Sequence, residues 1–554
     1  QSVQERFAKI EGVSAIVYIQ TCAAEKRRRR KRGQFPDPDR RVFINTDVCE
    51  GCGDCGVQSN CVSIVPTETE LGRKRAIDQS SCNKDFSCLK GFCPSFVTLE
   101  GATVKKAATT SVDLPDLPEP ELPKIDGTWN VVVTGVGGTG VVTIGAVLAQ
   151  AAQIDGKGAG MMEMAGLAQK GGAVHIHLRL ANSPEDISAI RVATGEMDAL
   201  IGGDLVVSAG AKTLGLMKTG RTGAVVNSHE IITGDFTRNT EFALPSDRLE
   251  LALEARLRDR LDLFDASDLA KAVLGDSIFS NMMILGAAWQ RGLVPLTRDA
   301  ILQAVELNGA AAAEKNQRAF EVGRWAVLYP EDAARVTAPN VVSLPKTPDE
   351  KIAYRFDHLV KYQSKRYAKR YQKLVDTVSE PRLKEAVAKG YHKLLAYKDE
   401  YEVARLHLET RDKAKEQFDG DFKMGFHLAP PMLSKSGPDG RPMKKQYGEG
   451  MLRGFGILSR LKWMRGTPLD PFGRTAERRM ERALITQYEA DMAEWLPKTS
   501  ADRMDALVAL AELPLQIRGF GPVKETNERT AAKRREEILA VLRSGGEALK
   551  QAAE

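Results

Sequence analysis

The sequence predicts an α/β multidomain protein, and three observations lead to this prediction. Seven of the eight cysteines lie between Cys49 and Cys93. A run of valines, a glycine-rich turn and an apolar stretch follow one another between Asn130 and Gln153, which is the order of a strand, a turn and a helix. Residues 351–554 are mostly polar with helical spacing of apolar positions. These three features predict, in order, a ferredoxin-like iron–sulfur insert, a Rossmann-like domain and an α-helical C-terminal domain.

Length and composition limit the choices of function. A chain of 554 residues holds roughly three or four domains, and 43% hydrophobic with 27% charged residues is ordinary for a globular protein. A net charge of +6 is mild, so we expect no nucleic-acid partner. The uncharged stretch Asn130–Ile154 contains five glycines and is interpreted as strand, turn and helix, so we expect no membrane association. Without a visible signal peptide, we expect a cytoplasmic protein with reduced thiols.

The first 36 residues resemble the end of a domain rather than a complete domain. Val13–Ile19 has the pattern of a buried strand, but little precedes it that could supply neighbouring strands. Seven consecutive basic residues follow, from Lys26 to Arg32. This run is a solvated helix face, a localisation or nucleic-acid patch, or a patch that steers an acidic electron carrier toward the cysteine segment.

The motif Cys49-x-x-Cys52-x-x-Cys55 is the strongest chemical signal in the chain. A ligand at every third residue lets one loop wrap one face of a [4Fe–4S] cube. The residues between the ligands include Gly51 and Gly53, which allow the loop to come close to the cluster and to adopt positive φ angles.

The other cysteines fit a ferredoxin pattern only in part. They are Cys61, Cys82, Cys88 and Cys93, the last followed by Pro94. Because the cysteine before proline in two-cluster ferredoxins ligates the other cluster, the spacing suggests that Cys93 joins Cys49, Cys52 and Cys55. The remaining three would then hold a three-iron cluster, accept a non-cysteine ligand for a second cubane, or be structural thiols.

Zinc and disulfides are the alternatives for these cysteines. Structural zinc usually shows two separated C-x2-C pairs or cysteine–histidine mixtures, whereas no histidine precedes His175. Disulfides are disfavoured because the thiols are clustered in a chain without a visible signal peptide.

The glycine-rich turn contains Gly135, Gly137, Gly138 and Gly140. Three of them fit G-x-G-x-x-G, and backbone amides at a helix N-terminus favour a bound phosphate. The acid that would confirm a dinucleotide site is ambiguous, because Asp155 precedes the next strand and Glu163 lies late within it. Alternatively, the glycines only permit a tight turn and close packing of helix on sheet.

The order of these parts resembles the C-terminal half of fused bacterial indolepyruvate ferredoxin oxidoreductases, of the 2-oxoacid:ferredoxin oxidoreductase superfamily. The resemblance rests on Gln20–Arg32 followed by Arg40–Asn45, on Cys49–Pro94, and on Gly135–Gly140 with Lys170-Gly171-Gly172. It implies the following division: 1–36, the end of a truncated thiamine-diphosphate domain; 37–100, a ferredoxin-type iron–sulfur domain; 101–127, a Pro-rich acidic linker; 128–329, a Rossmann-like gamma domain; 330–350, a second linker; and 351–554, a helical accessory domain.

The resemblance also implies a reaction and its cofactors. In that family a 2-oxo acid is decarboxylated on thiamine diphosphate with Mg²⁺, its electrons pass singly through [4Fe–4S] clusters to ferredoxin, and coenzyme A takes the acyl group. The Gly-Asp-Gly thiamine motif is not found in this sequence. We therefore expect the thiamine site in a missing N-terminal half or a separate chain, and we expect a homo-oligomer. A dinucleotide-dependent iron–sulfur dehydrogenase and a zinc-stabilised scaffold are the competing functions.

Overall fold

The computed structural model describes residues 2–105, 109–137, 140–165, 172–230, 239, 244–309, 312–337, 347–430, 434–435, 437 and 441–544. The predicted glycine-turn residue Gly138 and the loop residues 169–171 lie outside these ranges.

The N-terminal region begins with two short helices and continues into the cysteine segment. Its elements are α1 Ser2–Phe7, α2 Ala23–Lys31, β1 Arg40–Ile44, α3 Asp54–Ser59, β2 Ile64–Thr67, β3 Lys74–Ile77, β4 Phe96–Glu100 and β5 Thr103–Val104. The prediction of a buried strand at Val13–Ile19 is wrong for this structure. The segment is extended without strand pairing, and Val13, Val17 and Ile19 are more than 80% exposed. An apolar strand is stable only against partner strands, and no described strand lies beside this one.

The middle region is an α/β domain. Its elements are β6 Thr128–Val136, α4 Val142–Ile154, β7 Gly158–Ala165, β8 Ala173–Ala181, β9 Ala199–Gly202, α5 Leu205–Ser208, α6 Ala211–Leu216, β10 Gly223–Asn227, α7 Ser246–Leu257, β11 Leu261–Phe264, α8 Ala266–Leu274, α9 Ser280–Gln290, α10 Arg298–Asn308, α11 Ala313–Leu328 and α12 Pro330–Thr337.

Six strands form one sheet in the order β11-β10-β9-β6-β8-β7. The four strands from β11 to β6 are parallel, whereas β8 runs antiparallel to both β6 and β7. The valines of β6 and all residues of α9 are buried, because helices cover a parallel sheet on both faces. Helix α7 ends at Leu257. Arg258 takes a positive φ of 54°, and Leu261–Phe264 pairs instead with β10.

The C-terminal region is helical except for three short strands. Its elements are α13 Pro348–Tyr362, α14 Lys365–Val375, α15 Pro381–Leu395, α16 Glu400–His407, α17 Thr410–Gln417, β12 Phe418–Asp419, β13 Lys423–Leu428, β14 Lys445–Tyr447, α18 Met451–Arg460, α19 Ala476–Trp495, α20 Met504–Glu512 and α21 Gly521–Arg543. Buried tyrosines and leucines from α13, α14, α15, α19, α20 and α21 form its core.

The three short strands attach this region to the cysteine segment. Strand β13 pairs antiparallel with β4, with Phe426 opposite Val97 and Met424 opposite Leu99, and the resulting sheet has the order β1-β4-β13-β14. Strand β12 pairs antiparallel with β5, with Phe418 opposite Val104. The C-terminal region therefore completes the sheet from which the cysteine loops extend. No helix in the described part of the chain is long and apolar enough to cross a bilayer.

Candidate metal centre

The cysteine loop starts at the end of β1 and leads into α3. Asn45 begins the turn, since its side-chain oxygen accepts a hydrogen bond from the amide of Asp47 at 3.0 Å. Gly51 and Gly53 have φ angles of 70° and 75°, and a Cβ on Gly51 would collide with the carbonyl oxygen of Arg73. The loop that carries Cys49, Cys52 and Cys55 therefore requires glycine at both positions.

The structure brings Cys49, Cys52, Cys55 and Cys93 together. Burial raises the pKa of the Cys55 thiol well above its usual value, and Cys49, Cys52 and Cys93 raise it further. Burial likewise raises the pKa of Cys93 to about 11, and the neighbouring Cys49 adds to this rise. Four thiols from two separate loops thus face one another in an enclosed space.

Cys61, Cys82 and Cys88 form a second group. Burial raises the pKa of Cys88 to about 12, with further contributions from Cys61 and Cys82. Burial also raises the pKa of Cys82, and a hydrogen bond from the amide of Lys84 to its sulfur offsets part of this rise. The eighth cysteine, Cys22, is exposed.

The spacing of the sulfurs distinguishes one ion from a cluster. Tetrahedral zinc with bonds of about 2.3 Å would hold its ligand sulfurs about 3.8 Å apart. Among the described residues, which include all seven cysteines, no three of these sulfurs lie within 4.8 Å of one another. The ligand sulfurs of an iron–sulfur cluster bind different iron atoms, so they stand farther apart. The all-cysteine donor set and the Cys49-x-x-Cys52-x-x-Cys55 motif are typical of an iron–sulfur cluster.

A partly buried lysine lies beside both cysteine groups. Lys444, one residue before β14, donates hydrogen bonds from Nζ to the carbonyl oxygens of Gly91 and Cys93. Burial lowers its pKa to about 8, while Cys93, Cys88 and Cys55 act in the opposite direction. A cation in this position would stabilise thiolates, the form in which cysteine binds metal.

Further lysines approach from α15 and the residues after it. Lys398 Nζ donates to the carbonyl oxygen of Cys49 at 2.9 Å and lies 3.0 Å from the Glu50 carboxylate, which also pairs with Lys393. Burial alone would raise the pKa of Glu50, but the two ammonium groups outweigh burial and hold it well below its usual range. The backbone of the ligand loop is thus fixed by charged side chains of the C-terminal region.

The Asp54 carboxylate joins the two loops that carry the first cysteine group, and Arg441 pairs with this carboxylate. Arg441 lies 3.1 Å from the Asp54 carboxylate, and that carboxylate also accepts a hydrogen bond from the amide of Phe92 at 2.7 Å. Arg441 lies 387 residues from Asp54 along the chain. Sequence reasoning missed Lys393, Lys398, Arg441 and Lys444, because no local pattern marks a contact across that separation.

The basic helix α2 lies against the loop of the second cysteine group. Arg30 donates hydrogen bonds to the carbonyl oxygens of Asn83 and Pro36, and its side chain is only 9% exposed. Arg28 and Arg29 remain 65% and 49% exposed. One arginine therefore attaches the helix, and its neighbours face solvent close to Cys82.

The glycine-rich turn lies in the middle region, between β6 and α4. Gly140 has a φ of 91°, and a Cβ there would lie 2.9 Å from Asn281 Nδ2. Gly135 is within β6, where a Cβ would collide with Val141, and the amide of Gly137 donates to the carbonyl oxygen of Gly172 at 2.7 Å. Close packing therefore accounts for Gly135 and Gly140.

Neither acid considered for a dinucleotide site lies in a suitable position. Asp155 accepts hydrogen bonds from the amide and hydroxyl of Thr297 at 2.7 and 2.6 Å, which fixes the start of α10. Glu163 is exposed on β7, at the edge of the sheet. Both carboxylates therefore lack the position beside the glycine turn that ribose binding requires.

Comparison with known proteins assigns two regions of the chain. Residues 130–326 match the family described as pyruvate ferredoxin/flavodoxin oxidoreductase. Residues 348–537 match a family of unknown function, DUF6537. The first match spans the α/β domain with its glycine-rich turn, and the second spans nearly all of the helical region.

Similar curated proteins and solved structures match the same middle region. Indolepyruvate oxidoreductase subunit IorB of Thermococcus kodakarensis is 26% identical over 196 residues, which is 35% of this chain and 94% of that protein. The IorB subunit of Archaeoglobus fulgidus is 26% identical over 195 residues, 35% of this chain and 92% of that protein.

Two solved structures align with lower identity. The keto/oxoacid ferredoxin oxidoreductase gamma subunit of Geobacter sulfurreducens is 23% identical, covering 36% of this chain and 98% of that one, with a TM-score of 0.26. Pyruvate oxidoreductase subunit PORC of Thermotoga maritima is 17% identical, covering 36% and 96%, with a TM-score of 0.27. The family match and the archaeal relatives therefore place residues 130–326 in the pyruvate ferredoxin/flavodoxin oxidoreductase family.

Proposed function

We propose that this chain is the electron-relay and gamma portion of a 2-oxoacid:ferredoxin oxidoreductase. The observation that carries the proposal is the grouping of Cys49, Cys52, Cys55 and Cys93, whose thiols raise one another's pKa values and lie beside the cationic side chain of Lys444. We assign these four as ligands of a [4Fe–4S] cluster, which when bound supplies one-electron chemistry.

The residues around this group have three tasks. The loop glycines allow the backbone to present its sulfurs to one space. Burial of Cys49, Cys55 and Cys93 excludes water, which protects a cluster from hydrolysis and oxidation. Lys444 and Lys398 supply positive charge close to the ligand loops, and this charge offsets the negative charge of bound thiolates.

The domain division follows from the same proposal. Residues 37–100 are the ferredoxin-like iron–sulfur domain, 128–329 the Rossmann-like gamma domain and 351–554 the helical accessory domain, with linkers at 101–127 and 330–350. The pairing of β13 with β4 makes the accessory domain part of the iron–sulfur unit. Residues 1–36 belong to the end of a thiamine-diphosphate domain.

The complete reaction is the oxidative decarboxylation of an aryl 2-oxo acid, with indolepyruvate as the proposed substrate. The names of the archaeal relatives support this choice of substrate. Thiamine diphosphate and Mg²⁺ would be bound by a thiamine-binding partner subunit, coenzyme A would accept the acyl group, and cytoplasmic ferredoxin would accept the electrons. We propose that the assembled enzyme is a homo-oligomer.

Replacement of single cysteines tests the ligand assignment. We expect Cys52→Ala to remove most iron and acid-labile sulfide from anaerobically purified protein, because a cubane needs its four thiolates. Cys22→Ala is the matched control and should leave both contents unchanged, since Cys22 is exposed and belongs to neither cysteine group. Equal iron and sulfide in the Cys52→Ala and wild-type proteins would refute the assignment.

The second cysteine group supports a second candidate site. Cys61, Cys82 and Cys88 form a group of their own, one thiol short of a full cubane ligand set. A three-iron cluster, or a cubane with a non-cysteine ligand, fits this set. Cys88→Ala should then lower the iron content without removing the cluster of the first group, as followed by electron paramagnetic resonance.

A further inference from the structure

A cavity of about 360 Å³ lies where the cysteine segment meets the helical region. Its walls are the loop 69–74, parts of α13 and α15, and residues 515–518. The volume lies at the lower end of the range for small-molecule sites. No step of the proposed electron relay uses this cavity.

The lining is strongly cationic. Five lysines and three arginines line the cavity, against two glutamates, Glu50 and Glu70. Both glutamates already have partners. Glu70 pairs with Arg355 at 2.7 Å, and Glu50 pairs with Lys393 and Lys398. An excess of positive charge therefore remains after the internal ion pairs are formed.

Lys74 is the clearest part of this excess. Its residue is only 7% exposed, and it lines the cavity. Among the described residues, no carboxylate forms an ion pair with the Lys74 ammonium group, and Glu50 pairs instead with Lys393 and Lys398. Burial lowers the pKa of Lys74 to about 7, and the nearby Lys398 lowers it further. A buried ammonium group without a direct counter-ion is costly, so an anion beside it would be stabilising.

Helices α13 and α15 also contribute positive charge to the cavity. Lys351 of α13 and Lys389 of α15 line the same cavity, and both face one carboxylate, Glu385, at 3.9 and 2.8 Å. One carboxylate cannot neutralise two ammonium groups. Lys398 and Lys74 lie near Cys49, so they also offset negative charge at the cysteine group. Lys351 and Lys389 lie instead on the helices α13 and α15.

We propose that this cavity is a binding site for a phosphate-bearing anion, held by Lys74, Lys351 and Lys389. Lysine binds phosphate oxygens as a compact point charge, and several lysines around one space favour a ligand with two or more negative charges. Inorganic pyrophosphate and the diphosphate of a nucleotide share this chemistry. The site does not depend on a bound cluster, so the failure of either proposal leaves the other standing.

Calorimetric titration of the full chain with pyrophosphate at low ionic strength tests the site. We expect saturable binding that weakens as salt is added, and an affinity at least tenfold lower in Lys74→Met. Lys373→Met is the matched control, because Lys373 is exposed on α14 and outside the cavity; its affinity should equal that of the wild type. Lys389→Gln should also weaken binding, which keeps the test decisive if Lys74→Met fails to fold.

A second titration with ADP separates the two sources of phosphate. Tighter binding of ADP than of pyrophosphate would identify a nucleotide ligand, and equal or weaker binding would identify an inorganic polyanion; both results support the site. The proposal is overturned if the wild type shows no saturable binding of either probe. It is also overturned if the cavity variants and Lys373→Met bind equally well.

Discussion

Single, partly buried cations connect the cysteine loops to the rest of the molecule. Lys444 Nζ lies 3.3 Å from the carbonyl oxygen of Cys93 and 4.8 Å from the centre of the Phe96 ring. Burial lowers the pKa of Lys444, and the nearby Cys93, Cys88 and Cys55 counteract this effect. A cation there should stabilise the more negative, reduced form of a cluster on the nearby sulfurs.

Removal of this charge should lower the reduction potential. We predict that Lys444→Met shifts the midpoint potential of the cluster downward by about 50–100 mV, the effect of one unit charge at close range in a medium of intermediate polarity. A redox titration followed by electron paramagnetic resonance measures it.

Lys444→Arg is the matched control for that titration, because arginine keeps the positive charge. Its potential should stay close to that of the wild type. If Lys444→Met and Lys444→Arg have the same potential as the wild type, the lysine has no electrostatic influence on the cluster.

At the level of residues, the sequence reveals local requirements but not distant partners. The positive φ angles of Gly51 and Gly53 could be predicted, because the spacing of Cys49, Cys52 and Cys55 already demands a close-wrapped loop. Lys444 could not be predicted, because its role depends on a fold that brings residues 350 positions apart into contact.

Among the elements, helix α2 offers an exposed positive surface beside the second cysteine group. Arg30 is used to hold the helix in place, so its charge is part of the structure. Lys26, Arg28 and Arg29 are the charges available to steer an acidic partner.

Neutralisation of these three side chains should weaken the salt dependence of ferredoxin reduction. In the complete enzyme, we predict that changing Lys26, Arg28 and Arg29 to Gln slows reduction at low salt roughly two- to fivefold, since electrostatic steering mainly affects association rates. Stopped-flow measurement at several salt concentrations gives the slope.

The same number of changes on another basic helix serves as the control. Lys365, Arg366 and Lys369 are exposed on α14, and their change to Gln should leave the slope unaltered. A slope equal to that of the wild type in the α2 variant would exclude docking at this helix.

Strand β8 contains a buried histidine that makes stability depend on pH. His177 Nδ1 accepts a hydrogen bond from the amide of Val192 at 3.0 Å, and burial lowers its pKa from 6.5 to about 4, with help from His175 and nearby arginines. The unfolded chain binds the proton more readily than the folded chain, so stability is lost as the pH falls below 6.5.

The loss should follow the linkage relation. We predict a decrease of up to roughly 1.4 kcal/mol in the free energy of unfolding per pH unit between 6.5 and 4. His177→Asn keeps an acceptor for Val192 but does not titrate, so its urea midpoint should depend less on pH in this range. Hydrogen exchange of residues 173–181 reports on this domain, and identical pH slopes in the two proteins would contradict the prediction.

Elements with a strong local pattern agree with expectation, and elements that need a distant partner do not. The strand predicted from the valine run after Asn130 occurs as β6, because a run of buried valines before a glycine turn specifies it locally. Strand β13 was not predicted, since its pairing with β4 is visible only in the folded chain.

In the whole molecule, the helical region and the cysteine segment form one packed unit. Phe426 on β13 is fully buried and packs its ring against His407 and Phe455 at 5.1 and 5.2 Å, while its backbone pairs with Val97. His407 also contacts the carbonyl oxygen of Pro94, next to Cys93. Disturbance of this packing should therefore reach the metal centre.

A large-to-small change at this position tests the coupling. We predict that Phe426→Ala costs about 3–5 kcal/mol and that cluster absorbance and helical circular dichroism are lost together, at lower urea than in the wild type. Phe320→Ala, an equally buried phenylalanine of the middle domain, should leave the urea dependence of cluster loss unchanged. Loss of helical signal in Phe426→Ala with the cluster retained would show that the two parts are independent.

The central claim is that the cysteine segment holds an iron–sulfur cluster, and metal analysis tests it most directly. Iron, acid-labile sulfide and zinc should be measured on anaerobically purified protein, with an electron paramagnetic resonance spectrum after reduction by dithionite. We predict about 4 iron and 4 sulfide per chain with the signal of a reduced cubane, or about 7 to 8 of each if the second cysteine group is also loaded. Zinc without sulfide would contradict the electron relay and leave a metal-stabilised scaffold.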